Sequence, residues 1–344
     1  MLQACVLFLA FIIRYNGLIY LFITLIAFGL TTISLRIKVV GIITSIFFIS
    51  LFVWFSSNQY KKLTGHWQYS PFSGWQLANN AMYAYRYVHP FEREPVPAKY
   101  RTLDNMIRQF FDSTHDAKKF PTEQEMASTY YMWSSGMPLI RYETDIYKND
   151  NASSDLKKWA SMGPFFKQYG LYIIRKYPWH FIRFFIWPNS QKYYAPPTEF
   201  LSVYNSGKDT VLKIAQTWFG YKSRNVTTRM KTKEVVVLEF LPILSGIINI
   251  ALLCCLICYV SLKGWRYKTF FTKAIILGAT FWLLNACFTI GASSAALRFQ
   301  SFPIILTTTF VFLLVDWMID LMKITASTKK EIGKPREKFS PKIA

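Results

Sequence analysis

The chain has 344 residues, 52% of them hydrophobic and 18% aromatic, and 40 Lys and Arg against 19 Asp and Glu give a formal net charge of +21. So much apolar surface argues against a water-soluble globular protein and for a membrane class. The five cysteines all lie in apolar segments, so the polar part of the chain has no disulfide framework.

Taken in order, the chain is apolar almost throughout from Leu2 to Ser56 and again from Phe240 to Ile324, with a basic, aromatic-rich block between. A bilayer-crossing helix needs about 20 apolar residues. Segments 17–35, 39–56, 240–262, 274–297 and 299–322 meet that need, and Leu2–Ile13 is too short to cross alone. The expected fold class is mainly α: a polytopic membrane protein with transmembrane helices at both ends and a mostly helical extracytoplasmic domain between them. The expected divisions are residues 1–56, 57–235, 236–322 and a basic tail, 323–344.

Loop cations set the orientation. Arg36 and Lys38 form one cluster, Lys263, Arg266, Lys268 and Lys273 a second, and the lysines and Arg336 of the tail a third. Placing all three in the cytoplasm puts the central block outside, together with the turns that hold Arg14 and Arg298. The expected location is the plasma (inner) membrane, multi-pass. Asp316 and Asp320, one turn apart, read as an ion-pairing group at the inner boundary, and Glu239 reads the same way at the outer one.

Within the block, Ser73 is placed to cap a helix carrying Trp75, Leu77, Ala78, Met82, Tyr83 and Tyr85. Asn79 and Asn80 fall in its middle, where Asn is mildly unfavourable. They belong either on a wet face or in hydrogen bonds to a ligand, and Trp75, Asn79 and Asn80 are candidate substrate contacts. Pro90, Pro95 and Pro97 impose an extended connector. Leu103, Met106, Ile107, Phe110 and Phe111 outline a second helix, and 122–131 a third, with Glu123 and Glu125 in its first turn. From Trp159 to Tyr194 aromatic residues interleave with cations. Pro178 reads as a helix start and Pro188 as its stop. The simplest expectation is a helix flat on the outer leaflet, and the alternative is a helix packed in the block's own core.

Residues 57–235 hold 25 Lys and Arg against 14 Asp and Glu. A basic block held against a membrane points to phosphate-bearing partners: membrane lipid or an anionic lipid-linked substrate. It has no recognition module for nucleic acid, and no nucleic acid partner is expected. Cys255 and Cys258 have the spacing of a metal half-site without a second half, so neither metal nor cofactor is expected.

The run Ala296-Leu297-Arg298-Phe299-Gln300-Ser301-Phe302-Pro303, where one apolar segment ends and the next begins, resembles the C-terminal part of GT-C superfamily glycosyltransferases. Gly74–Tyr83 and the stretches Tyr177–His180 and Trp187–Asn189 resemble external-domain segments of bacterial members. The resemblance implies a substrate that is a polyprenyl-phosphate-linked sugar, with Arg298 and Gln300 at the lipid phosphate. The catalytic residue stays unknown. The family's carboxylate sits in the first external loop, whereas the first external turn here is Arg14-Tyr15-Asn16-Gly17. The expectation is therefore a C-terminal portion, inactive alone, whose N-terminal half is a separate or missing chain. The alternative is a non-enzymatic membrane protein whose basic outer domain binds anionic glycolipid or a protein partner. A transporter is weaker, for want of mid-membrane charges.

Overall fold

A computed structural model describes residues 2–13, 17–114, 129–134, 136–228, 232–266, 269–292 and 295–332, without the side chains of Phe200 and 325–332. The turn at 14–16, most of the helix expected at 122–131, Lys268 and the tail from 333 onward lie outside the described residues.

The N-terminal apolar stretch begins with two short helices, α1 (Leu2–Ile13) and α2 (Leu18–Leu30). They lie side by side, with Gln3 Nε2 donating to Thr24 Oγ1 at 3.1 Å. With 13 residues α2 rises about 20 Å, less than a hydrocarbon core of about 30 Å. The span expected at 17–35 is therefore cut short. Thr31 turns extended at ψ 157°, its hydroxyl donates to Phe28 O, and Lys38 Nζ caps Thr31 O at 2.7 Å. The β-branched Thr31-Thr32-Ile33 run has no strong helical preference to resist this. By contrast α3 (Leu35–Thr64) runs for 30 residues and ends at Gly65, which supplies the left-handed φ of +78°.

Past Gly65 the middle region begins with α4 (Pro71–Tyr85). Its cap position is Ser70, with Pro71 at the first turn, and not Ser73, which lies inside the helix and donates to Ser70 O. α5 (Arg101–Ser113) buries Leu103, Ile107 and Phe111, the spacing expected of its amphipathic pattern. α6 (Pro138–Ile146) is short, and α7 (Asp155–Lys176) is capped by Ser154, whose hydroxyl accepts from Lys157 N. α4 and α7 cross with almost no room between their backbones. A Cβ on Gly74 would run into Gly163 O, and one on Gly170 would lie 2.7 Å from the backbone of Leu77 and Ala78. Around that crossing Trp75, Met82, Leu103, Ile107, Phe111, Tyr131, Phe166 and Ile173 form one core.

The expectation of a surface-bound helix over 159–194 divides here. α7 belongs to the core, with Ala160, Phe166, Tyr169 and Ile173 buried. The next helix, α8, starts as Pro178–Phe181, passes through a π turn at Ile182–Ile186 and continues as Trp187–Tyr194. Trp179, Ile182, Arg183 and Trp187 are exposed along it, while Phe185 is buried. Pro188 does not stop this helix. The π turn, where Trp187 N donates to Ile182 O, absorbs the hydrogen bond that proline cannot make. A short helix, α9 (Lys213–Phe219), follows at the tip of a loop arm.

The C-terminal part holds α10 (Leu241–Ser261), α11 (Thr269–Ala292) and α12 (Leu297–Ile332). Among the described residues four helices are long and apolar enough to cross a membrane: α3, α10 with its lead-in, α11 and α12. The described chain is thus all-helical, with one long apolar helix near the N-terminus and three near the C-terminus around a helical region. Close packing in this bundle again uses glycine, since Gly278 faces the Phe310 ring and Gly264 the Tyr259 ring. Arg36 lies at the start of α3, and Lys263 and Arg266 follow the end of α10, in each case the helix end that does not join the middle region along the chain. Asp316 and Asp320, the pair expected at the inner boundary, are both exposed on α12.

Candidate functional site

Where the middle region meets the bundle, the end of α8 is tied to α10, α11 and α12 by a chain of polar contacts. Tyr193 OH donates to Trp282 O at 3.3 Å and accepts from Asn285 Nδ2 at 3.1 Å. Asn285 also donates to Gln300 Oε1 at 3.1 Å, and Gln300 Nε2 donates to Thr289 Oγ1 at 3.3 Å. Trp282 Nε1 donates to Asn249 Oδ1, whose own amide nitrogen donates to Tyr194 O at 3.0 Å. In an apolar surrounding each of these amides needs a partner, and each finds one on a different helix. The network therefore fixes how the middle region sits on the bundle.

Above it opens a cleft of about 580 Å³ lined by Gln191, Lys192, Pro197, Glu199 and Ser202, among others. The backbone around it is pinned. Leu297 N, at the start of α12, donates to Pro197 O at 2.9 Å. Glu199 takes a φ of +48°, unusual for a residue with a Cβ, and Ser202 Oγ donates to its carbonyl at 2.8 Å. A conformation of that kind costs about 1–3 kcal/mol and collects at functional sites. It brings the Glu199 carboxylate to 3.9 Å from Arg298 Nη2, with Glu199 13% and Arg298 46% exposed. The Arg298 guanidinium also lies 4.6 Å above the Phe299 ring. Burial pushes the Lys192 amine down to about 8, and the charge of Glu199 opposes that shift.

Two residues beyond Arg298, Gln300 is buried in the network beneath, so the pair expected at one phosphate is divided between a cleft margin and a core. Trp75, Asn79 and Asn80 are elsewhere, inside the middle region. Trp75 Nε1 donates to Trp159 O at 2.9 Å, and its ring packs on Trp159 and Phe166. Asn79 is 0% and Asn80 1% exposed. Asn79 Oδ1 accepts from Tyr131 N, and Asn80 Oδ1 accepts from Gln76 Nε2. The wet face expected for the two asparagines is overturned: they are buried and hydrogen-bonded within the protein, so the cost of mid-helix Asn is offset by pinning a neighbouring turn.

Sequence reasoning did not find Glu199 or Lys192. Glu199 is an isolated acid 99 residues before Arg298, and nothing local marks it apart from the preceding Pro196-Pro197 pair. A second groove, of about 520 Å³, lies on α7 and carries Lys99, Tyr100, Tyr172, Arg175 and Lys176. Lys99 Nζ sits 4.6 Å over the Tyr100 ring, and Lys176 pairs with Glu94 at 2.7 Å. Among the described residues no group of three or more His, Cys, Asp and Glu side chains is arranged to hold a metal. Comparison of the chain with protein-family models, with curated proteins and with solved structures finds no match in any of the three.

Proposed function

We propose that this is a glycosyltransferase-like membrane protein of the cell envelope that holds the phosphate of a polyprenyl-phosphate-linked sugar in the cleft beside Arg298. The observation that carries the reading is the meeting of Lys192, Glu199 and Arg298 where α12 enters the bundle. A guanidinium there can give paired, charge-assisted hydrogen bonds to a phosphate, and the lipid tail then runs down the apolar helices. Lys192 supplies a second cation. Glu199 holds Arg298 in place until the phosphate competes for it, and it is also the carboxylate placed to take a proton from an acceptor hydroxyl. The cations at the far end of the bundle support a cytoplasmic tail and an extracytoplasmic middle region in the plasma membrane.

The test is binding of a polyprenyl phosphate to the detergent-purified chain. Arg298→Ala is expected to weaken it about tenfold, or about 1.4 kcal/mol, and equal affinity would remove Arg298 from the site. Because the Lys192 amine titrates near 8, affinity should fall as pH rises from 7 to 9, and Lys192→Gln should flatten that profile. The sign for stability is opposite. The folded state sheds this proton first, so without ligand stability rises between about 8 and the ordinary lysine value of 10.5. Loss of turnover with retained binding in Glu199→Gln would mark an enzyme.

A second reading is favoured by the α7 groove. There Tyr100 and Tyr172 lie beside Lys99 and Arg175, a surface suited to an anionic glycolipid headgroup bound without chemistry. Binding unaffected by Arg298→Ala and weakened by Lys99→Ala with Arg175→Ala would select it.

A further inference from the structure

The chain on either side of α9, described over 202–212 and again over 220–228 and 232–235, forms an arm whose two sides meet at isolated bridges. At its base Val203 bridges Glu234, Tyr204 N donates to Lys233 O at 2.7 Å, and Val235 N donates to Ser202 O at 2.9 Å. Farther out Thr210 bridges Asn225, and Val211 N donates to Arg224 O at 2.9 Å. α9 forms the tip and is closed by Gly220 at a φ of +64°.

The tip has no core. Ile214 is 75% and Trp218 82% exposed, and Leu212, Phe219 and Tyr221 are exposed beside them. Five large apolar side chains presented within ten residues are far more than a loop in water carries without a partner. Their setting is cationic. Between residues 205 and 228 the sequence has Lys208, Lys213, Lys222 and Arg224, against Asp209 alone. Asp209 is already paired with Lys233.

The root of the arm says what covers that tip. One strand passes through Val236–Leu238 into α10, and the other comes from Pro197, which is bonded to the first residue of α12. The arm therefore springs from the level at which two apolar helices leave the bundle. Leu212 lies nine steps along the chain from Val203, a reach of at most about 30 Å. The bilayer surface is thus within reach of the tip. Aromatic rings flanked by lysine and arginine match the headgroup layer, where the rings lie half-buried and the cations meet phosphate.

We propose that the arm tip is a separate membrane contact, in which Leu212, Ile214, Trp218, Phe219 and Tyr221 enter the headgroup layer of an anionic leaflet and the neighbouring cations pair with lipid phosphates. The contact anchors the loop that carries Glu199, at a point away from the spans. It needs the four long apolar helices and is independent of any transferase chemistry.

The test uses the full chain with its five native cysteines replaced by serine. A single cysteine is introduced by Ile214→Cys, labelled with an environment-sensitive fluorophore and placed in nanodiscs. Asn151→Cys, in an exposed loop of the middle region, serves as control and reports whether the fold is kept. In phosphatidylcholine discs containing phosphatidylglycerol, the label at 214 should emit to the blue of the control. Lipids carrying a quencher near the headgroup should quench it roughly three-fold more than the control. Lys213→Glu with Lys222→Glu should remove most of that difference. Water-like emission at 214 without lipid quenching overturns the proposal. So does a blue shift that lipid quenchers do not touch and that vanishes at one chain per disc, which would place a second copy on the tip. A blue shift insensitive to both would place a different protein surface there and overturn it equally.

Discussion

Phe166 and Phe312 are the same residue type, each on a long helix of one chain, and they behave oppositely. On α7, Phe166 is 0% exposed and packs edge-on against Trp75 at 4.6 Å. On α12, Phe312 is 70% exposed. The middle region gathers many of its rings into one core, as water favours. A helix able to cross a membrane can turn rings such as Phe312 outward, because hydrocarbon is as good a partner for phenylalanine as another helix is. Inside the bundle the contacts include small residues against rings and amides against hydroxyls, as at Gly278 with Phe310 and Gln300 with Thr289. Exposure of a ring such as Phe312 thus costs little on an apolar helix, whereas exposing Phe166 would break the packing of the middle core.

The sharpest way to break this comparison is with glycine. Gly74→Ala sets a methyl group against Gly163 O and must open the α4–α7 crossing. A loss of about 3 kcal/mol or more is expected, read as a lower thermal midpoint of the purified protein. Gly29 on α2 has nothing within 4 Å of its would-be Cβ. Gly29→Ala should be neutral or stabilise by up to about 1 kcal/mol. Equal effects at the two positions would deny the tight crossing of α4 and α7.

A contrast of similar size uses the two phenylalanines themselves. Phe166→Ala should cost about 3–5 kcal/mol in the same unfolding measurement, as for any buried ring removed from a packed core. Phe312→Ala should cost under about 1 kcal/mol, since lipid replaces the lost contact. The smallest effect is expected at the polar seam. Asn285→Leu removes partners from Tyr193 and Gln300 together. It should cost about 1–2 kcal/mol and loosen α8 from the bundle, raising protease access near Tyr194.

How far each part was legible follows the same division. The long apolar helices could be read directly, because hydropathy adds up over about 20 adjacent residues and needs no knowledge of neighbours. α5 was equally readable, its buried Leu103, Ile107 and Phe111 recurring at helical spacing. Length alone misjudged α2. Its apolar composition continues through Thr31-Thr32-Ile33, but its hydrogen bonding does not. Pro188 was misjudged for a related reason, since a π turn elsewhere in the helix absorbed the missing donor. The wet face open to Asn79 and Asn80 failed because polarity was counted without knowing that Tyr131 N and Gln76 would arrive to pair with them.

The cleft lay beyond any such reading. Composition and periodicity settle which stretches leave water and which keep it, because transfer between water and an apolar phase is a property each residue carries with it. That is why the layout of apolar ends around a basic, aromatic middle could be written down from residue order. Nearness between Lys192, Glu199 and Arg298 is a different kind of quantity. It exists because Pro197 is bonded to Leu297, because Glu199 accepts a left-handed turn, and because Tyr193 is locked onto α11. Each of those is a contact between distant parts of the chain, and their sum, not any local preference, placed a carboxylate opposite the arginine.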